Sequence, residues 1–242
     1  MARYLLIAAP ALILLALTLL RCSAPPAARL RDVFLEGNIG AGKSTLATTL
    51  ASTGKFDVYQ EPVAEWQETG GFNFLQALTQ DYSANAYLFQ VLALGTLARR
   101  MRNAPSSTRL RIFERSARCA LDVFSEYGHA VGAISQMEME TLRVLLDATR
   151  PEHPVVYLYV RVDPGEAWHR SRQRGRPEES SLPASYFTRL HRHLDDWLLR
   201  TEPAERINEV VVLDGSLPPD ELATAAMEAL EKICRSTGTD KY

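Results

Sequence analysis

Gly37-Asn38-Ile39-Gly40-Ala41-Gly42-Lys43-Ser44-Thr45 decides how the rest of the chain is read. It matches G-x-x-x-x-G-K-[ST], it follows the apolar run Val33-Phe34-Leu35, and it precedes the helix-like run Leu46-Ala47-Thr48-Thr49-Leu50. The motif therefore sits where a strand turns into a helix, the context a phosphate cradle requires and a chance Gly-rich turn lacks. Glycines let the backbone turn tightly and aim successive N–H groups inward, and the helix N-terminus adds partial positive charge. Lys43 is expected to reach the β- and γ-phosphates of a nucleoside triphosphate, and the Ser44 hydroxyl to help hold Mg²⁺.

Outward from this loop, short apolar runs alternate with helical spacing. The strand-like runs are Val33–Leu35, Phe56–Tyr59, Leu110–Phe113, Val155–Val160 and Val210–Leu213. Helices are expected over Lys43–Ala51, Leu75–Leu78, Ser83–Arg102, Arg118–Ser125, Ser135–Ala148, Gly165–Arg174, Ala184–Leu199 and Pro218–Ile233, with a break at Tyr127-Gly128-His129. Strands this apolar, separated by helices, predict an α/β fold: a parallel sheet of about five strands with helices on both faces. Ligands in such folds bind beyond the C-terminal ends of the strands. The polar motifs below all fall there.

At 242 residues the chain suits one domain, assigned to residues 31–242. A charged fraction of 23% against 46% hydrophobic is that of an ordinary folded protein and excludes wholesale disorder. With a formal net charge of −2 the chain lacks the basic surface that non-specific nucleic-acid binding needs, so no nucleic-acid partner is expected. Cys22, Cys119 and Cys234 show neither zinc-ligand nor C-x-x-C spacing, and a reducing compartment fits them.

Residues 1–30 read as a separate hydrophobic segment and linker. Tyr4 to Leu20 is almost unbroken apolar sequence, flanked by Arg3 on one side and Arg21, Arg29 and Arg31 on the other. A secretory signal, a signal anchor and an organelle presequence all compete for such a stretch. Export would carry a triphosphate-consuming enzyme away from its donor. The arginine excess after the run favours anchoring through residues 4–20 with the domain on the cytoplasmic face of a membrane. A mitochondrial presequence is the alternative, similarly acid-poor but usually amphipathic.

Two strands end in acidic motifs. The second runs into Glu61-Pro62-Val63, with Trp66 close behind, and a carboxylate there is placed to accept a proton from an attacking hydroxyl. The third ends in Glu114-Arg115-Ser116, where the carboxylate suits Mg²⁺ and the guanidinium suits phosphoryl or acceptor oxygens. A surface glutamate and a structural salt bridge are the plain alternatives, and neither tripeptide decides alone. Arg170-Ser171-Arg172-Gln173-Arg174-Gly175-Arg176-Pro177-Glu178-Glu179 reads as an Arg-rich lid that closes over phosphates. On the long helix, Phe89 precedes Gln90, an amide inside an apolar helix that pairs either with the edge of a base or with neighbouring backbone.

Taken together, G-N-I-G-A-G-K-S-T, E-P-V-A-E-W, F-Q, E-R-S and R-x-R-G-R-x-E-E stand in the order and at the separations of the deoxynucleoside kinase family, which the chain resembles from about Asp32 to the last helix. The resemblance implies a P-loop kinase that transfers the γ-phosphoryl of ATP or another nucleoside triphosphate to the 5′-hydroxyl of a deoxynucleoside, with Mg²⁺, for nucleotide salvage and usually as a homodimer. Glu61 then looks like the general base, Arg115 like the group that orients acceptor and phosphate, and Glu114 like the Mg²⁺ holder beside Ser44. Arg170, Arg174 and Arg176 match the lid arginines, Glu179 the carboxylate that reaches the 3′-hydroxyl, and Gln90 the base-reading amide. Phe124 and Phe89 would stack on the base, Trp66 would close the pocket, and Asp214 would border the adenine. Leu97 and Ala120 stand where deoxycytidine-preferring members carry an arginine and an aspartate. Their apolar room suits the 5-methyl of thymine, so thymidine and deoxycytidine are the expected substrates, with purines weaker. One departure is that the tyrosine usually found near the sugar has no aligned counterpart: Thr79 lies there and Tyr82 is displaced.

Two rival readings share the fold. A nucleoside monophosphate kinase of the thymidylate type has the loop and lid, yet Glu61 beside the acceptor oxygen would repel a second phosphate. A non-catalytic structural relative would have no need of Lys43, Glu61, Glu114, Arg115 and the lid arginines.

Overall fold

In the computed structural model, which describes residues 32–149, 151, 155–200 and 209–236, the five apolar runs pair as one sheet in the order β2-β3-β1-β4-β5. The strands are β1 (Val33–Glu36), β2 (Asp57–Tyr59), β3 (Arg111–Glu114), β4 (Val156–Arg161) and β5 (Glu209–Asp214), and every pairing is parallel. All four residues of β1 and five of the six in β4 are buried. Such runs tolerate no polar alternation because helices cover both faces of a parallel sheet.

Ten α-helices follow the strands among the described residues: α1 (Lys43–Ser52), α2 (Val63–Gln67), α3 (Phe74–Gln80), α4 (Tyr82–Asn103), α5 (Ala117–Cys119), α6 (Glu126–Ala130), α7 (Gln136–Asp147), α8 (Pro164–Arg174), α9 (Ala184–Leu199) and α10 (Pro219–Ser236). Their starts are written locally. Asp81 caps α4 by accepting the Ala84 N–H, Ser135 and Glu138 form a reciprocal capping box on α7, and Asp163 caps α8 with Pro164 in its first turn.

Two apolar clusters result. One joins the sheet to α1, α9 and α10 through Leu35, Leu50, Ile112, Leu158, Phe187, Leu194 and Leu230. The other lies away from the sheet and joins α2, α3, α4 and α7 through Trp66, Leu78, Phe89, Leu94, Met139 and Leu142. The cavity described below is walled by both.

Two expectations need correcting. No break occurs at Tyr127-Gly128-His129, because α6 runs through Ala130 and ends before Gly132, at φ +77°. Gly128 is there for close approach: a Cβ on it would stand 2.7 Å from the Ile134 Cδ1. Nor is Arg118–Ser125 a regular helix, since Ala120–Ser125 widens into a π segment in which the Ser125 hydroxyl donates to the Ala120 carbonyl at 2.7 Å. The apolar run at 4–20 lies outside the described residues, among which no helix is long and apolar enough to cross a membrane.

The glycines of the phosphate loop carry a packing constraint. Gly40, at φ +75°, would place a Cβ 2.2 Å from the Ala167 carbonyl oxygen in α8, whereas Gly54, at φ +66°, faces open space. Gly54→Ala is therefore expected to cost only the left-handed penalty, about 1–2 kcal/mol, or a few degrees of melting temperature in a domain of this size. Gly40→Ala must in addition push α8 off the loop, and should lower the melting temperature well beyond that. Thermal melts of the two variants side by side check this, and equal shifts would mean that α8 yields freely.

Candidate active site

Residues 37–45 wrap the end of β1 and enter α1. Asn38 anchors the wrap, its Nδ2 donating to the Phe187 carbonyl of α9 at 2.9 Å while its Oδ1 accepts the Ile39 N–H at 2.9 Å. Gly40 and Gly42 both take positive φ, and Ile39, Gly40, Lys43 and Ser44 face the cavity. Gly37 and Ala41 form the underside of the loop, and Thr45 is exposed in the first turn of α1. The Lys43 ammonium is buried and donates to the Gly37 and Asn38 carbonyls at 3.1 and 2.8 Å. Burial first, and then the Arg115 charge, pull its pKa down to about 8 against the opposing pull of Glu61, Glu114 and Glu36.

Three strand ends meet beside this loop. Glu114, closing β3, accepts the Ser44 hydroxyl on Oε1 at 2.6 Å and the Glu61 N–H on Oε2 at 3.2 Å, so one carboxylate ties α1 to the exit of β2. Magnesium keeps several waters and phosphate oxygens and takes only one or two protein oxygens. An adjacent hydroxyl and carboxylate at the foot of the loop fit that demand. Arg115 is the one non-glycine residue with positive φ among those described, at +65°, and its N–H is held by the Leu35 carbonyl at 3.0 Å. Such a conformation persists only where its surroundings over-determine it. It carries the guanidinium back under β2, where Nε donates to Glu61 Oε1 at 2.5 Å and the group lies 4.8 Å above the Phe124 ring. For Glu61, burial raises the pKa, but the Arg115 and Lys43 charges and the Arg115 hydrogen bond prevail and hold the carboxyl below its ordinary value.

From Glu61 the cavity extends to Gln90, and between them it is lined by Val63, Trp66, Phe89, Leu97, Arg115, Ala120 and Phe124. Trp66 is fixed by its Nε1 donating to Thr96 Oγ1 at 2.9 Å and by an edge contact to Phe89 at 5.4 Å between ring centres. Gln90 is 3% exposed, and what exposure it has is to this cavity, which it helps to line.

The lid brings Arg174, Arg176 and Glu179 to the same cavity. Glu179 is saturated there: Arg174 Nη2 reaches both its oxygens at 2.8 and 2.6 Å, Arg176 Nη1 donates at 2.6 Å, and the Ser171 hydroxyl donates at 2.6 Å. Arg170 departs from expectation. Its Nη1 donates to the Gly215 carbonyl at 2.7 Å and its Nε to Glu166, because one turn of α8 separates it from the cavity side. Asp214 also stands apart, exposed at the end of β5, where it accepts from the Ser216 N–H and hydroxyl.

Other lining residues were given no role by the sequence. Thr79 and Tyr82 both face the cavity, and Tyr82, Phe89, Gln90, Ala93 and Leu97 share one face of α4, so helical spacing counted back from Gln90 points to Tyr82. Tyr186, Leu182 and Glu178 carry no such signal, since α9 and the lid reach the cavity only through the tertiary fold.

A family model described as deoxynucleoside kinase matches residues 33–235. The thymidine kinase of Ictalurid herpesvirus 1 is 30% identical over 208 residues, covering 81% of this chain and 84% of that protein. Human mitochondrial thymidine kinase 2 is 26% identical over 76% of this chain and 70% of its own length, and deoxycytidine kinase 2 of Gallus gallus is 31% identical over 74% and 80%. Among solved structures, the deoxyadenosine kinase from M. mycoides, determined with products dCMP and dCDP, superposes with a TM-score of 0.71 at 19% identity, over 84% of this chain and 99% of that one. That likeness speaks for the fold. With the family model spanning nearly the whole described domain, the chain belongs to the deoxynucleoside kinase family and is an enzyme that phosphorylates deoxynucleosides.

Proposed function

We propose that the enzyme transfers the γ-phosphoryl of ATP to the 5′-hydroxyl of thymidine and deoxycytidine, with Glu61 as general base. The observation that carries the reading is the single cavity on which Glu61, Gln90 and the phosphate loop all open. A nucleoside whose base meets Gln90 puts its 5′-oxygen toward Glu61 and Lys43. Arg115 orients that oxygen and opposes the charge that develops on the transferring group. Arg176 serves the same charge from the lid once phosphate oxygens draw it from Glu179. Ser44 and Glu114 would hold Mg²⁺, which when bound supplies charge to the β- and γ-phosphate oxygens.

Substrate preference follows from the far end. Leu97 and Ala120 are buried and uncharged there, leaving room for a 5-methyl group, while the Gln90 amide pairs with either pyrimidine according to its flip. The names of the viral, mitochondrial and avian relatives, thymidine kinases and a deoxycytidine kinase, support both substrates. A monophosphate acceptor would bring its own charge against Glu61. Apolar side chains exposed on α4 and α7, Leu88, Met137 and Val144, support pairing with a second copy of the chain. Of the two destinations considered for the leader, similarity to mitochondrial relatives favours the mitochondrion.

With ATP as donor, thymidine and deoxycytidine should be phosphorylated, deoxyadenosine and deoxyguanosine more weakly and thymidylate not at all. Turnover of thymidylate alone would transfer the chain to the monophosphate kinases. Glu61→Gln should retain ATP binding and lose roughly 10²–10⁴ in kcat, and an undiminished kcat would remove Glu61 from the reaction. The pH dependence has a definite sign. Lys43 is charged below its pKa of about 8 and neutral above it, so kcat/KM for ATP should be level below that pH and fall as pH rises through it. Glu61, held below the ordinary carboxylate range, should contribute no loss of activity until the pH is strongly acidic.

A further inference from the structure

One carboxylate in the cluster has no part in the chemistry above. Glu36, the last residue of β1, is 0% exposed. Its Oε1 accepts the Ser116 N–H at 2.8 Å, which pins the backbone immediately after Arg115. Its Oε2 has no partner in hydrogen-bond geometry, the Cys119 thiol beside the carboxyl being at most a weak donor, and it lies 4.0 Å from Arg115 Nη1. That nitrogen donates instead to Cys119 Sγ at 3.2 Å, a weak acceptor. An unpaired buried carboxylate oxygen is costly, and the guanidinium that would satisfy it stands beside it, drawn aside by Glu61.

The arrangement contains a conflict. While Arg115 Nε holds Glu61 Oε1 at 2.5 Å, the carboxylate that should take the acceptor's proton is occupied and weakened as a base. A second carboxylate within reach of the same guanidinium resolves it. We propose that Glu36 is a positioning residue for Arg115: as the 5′-hydroxyl reaches Glu61, the guanidinium settles on Glu36 Oε2, leaving Glu61 free for the proton and Arg115 fixed beneath the transferring phosphoryl.

The required movement is about 1 Å, the excess of the present separation over a hydrogen-bond length. It exchanges a sulfur acceptor for a charged oxygen. Burial holds the Glu36 carboxyl above its ordinary range and the Arg115 charge opposes this, so the approaching guanidinium also secures the charge that receives it. The inference rests on the roles proposed for Glu61 and Arg115, and adds how Arg115 is held while they act.

Glu36→Gln tests it, because the amide oxygen still accepts the Ser116 N–H while the charge is lost. Steady-state kinetics with thymidine and ATP-Mg²⁺ should show kcat lower by about 100-fold, the scale of a 1 Å misplacement, with KM for ATP little changed. In an Arg115→Ala background the same substitution should cost nothing more, since residues acting as one unit are non-additive. Glu36→Asp disturbs packing at least as much as Gln but keeps the charge, and should retain more turnover than Gln. An unchanged kcat in Glu36→Gln, a further loss in the Arg115→Ala background, or an aspartate variant worse than the glutamine would each overturn the proposal. Full kcat in Glu61→Gln would instead bring down the general-base reading, whatever Glu36→Gln does.

Discussion

The ion pair between Arg115 and Glu61 is the contact on which the site depends, and the strand order makes it possible. With β3 lying between β2 and β1, a residue leaving β3 has the exits of both neighbours at its sides. Arg115 is 5% exposed, and a guanidinium buried that far is tolerated only beside carboxylates. The sheet supplies Glu61 from one neighbour and Glu36 from the other. The left-handed backbone at Arg115 aims the charge between them rather than along the strand. The parallel arrangement is thus more than a scaffold: every C-terminal strand end faces the same way, so acidic and basic groups written far apart in sequence converge without a long loop.

The two apolar clusters divide the labour. The sheet cluster holds the phosphate loop and the acidic strand ends rigid, through contacts such as Asn38 to α9. The satellite cluster of α2, α3, α4 and α7 builds the cavity wall around Gln90, through Trp66, Leu78, Phe89 and Leu97. Where α5 passes between them it widens into the π segment, which carries Ala120 and Phe124 into the cavity. An extra residue per turn re-aims side chains that a regular helix would leave elsewhere, and such segments concentrate at functional sites.

What the sequence disclosed follows the range of the forces involved. The five strands, the phosphate loop and the caps are local: apolar runs, a glycine spacing and Asp or Ser before a helix are visible within a few residues. Glu61 and Glu114-Arg115 were legible because each stands directly at a strand end, where an α/β sheet puts its ligands. Arg170 shares a face of α8 with Arg174 but stands one turn earlier, and its pairing with Glu166 and the Gly215 carbonyl depends on the tertiary position of the β5 turn, which a run of arginines does not disclose. The break expected at Gly128 misread a glycine that serves packing against Ile134. Tyr186 was invisible because nothing local distinguishes it until α9 folds over the cavity, and Glu178 was visible only as a member of the lid run, without its ties to Gln67 and Asn73.

The lid's consecutive carboxylates show how closure is arranged. Glu178 Oε1 accepts from Gln67 at 2.9 Å and Asn73 at 3.0 Å, side chains at the end of α2 and the cap of α3. Those helices bring Trp66, Leu75 and Leu78 to the cavity wall, so the lid is tied to that wall. Glu179, which lines the same cavity, occupies Arg174 and Arg176. Phosphate oxygens carry more charge than one carboxylate and outcompete it for the arginines. The lid thus holds its cations paired and partly desolvated on Glu179, and under the proposed function a triphosphate would require only that the guanidinium groups change partners, the same exchange proposed for Arg115.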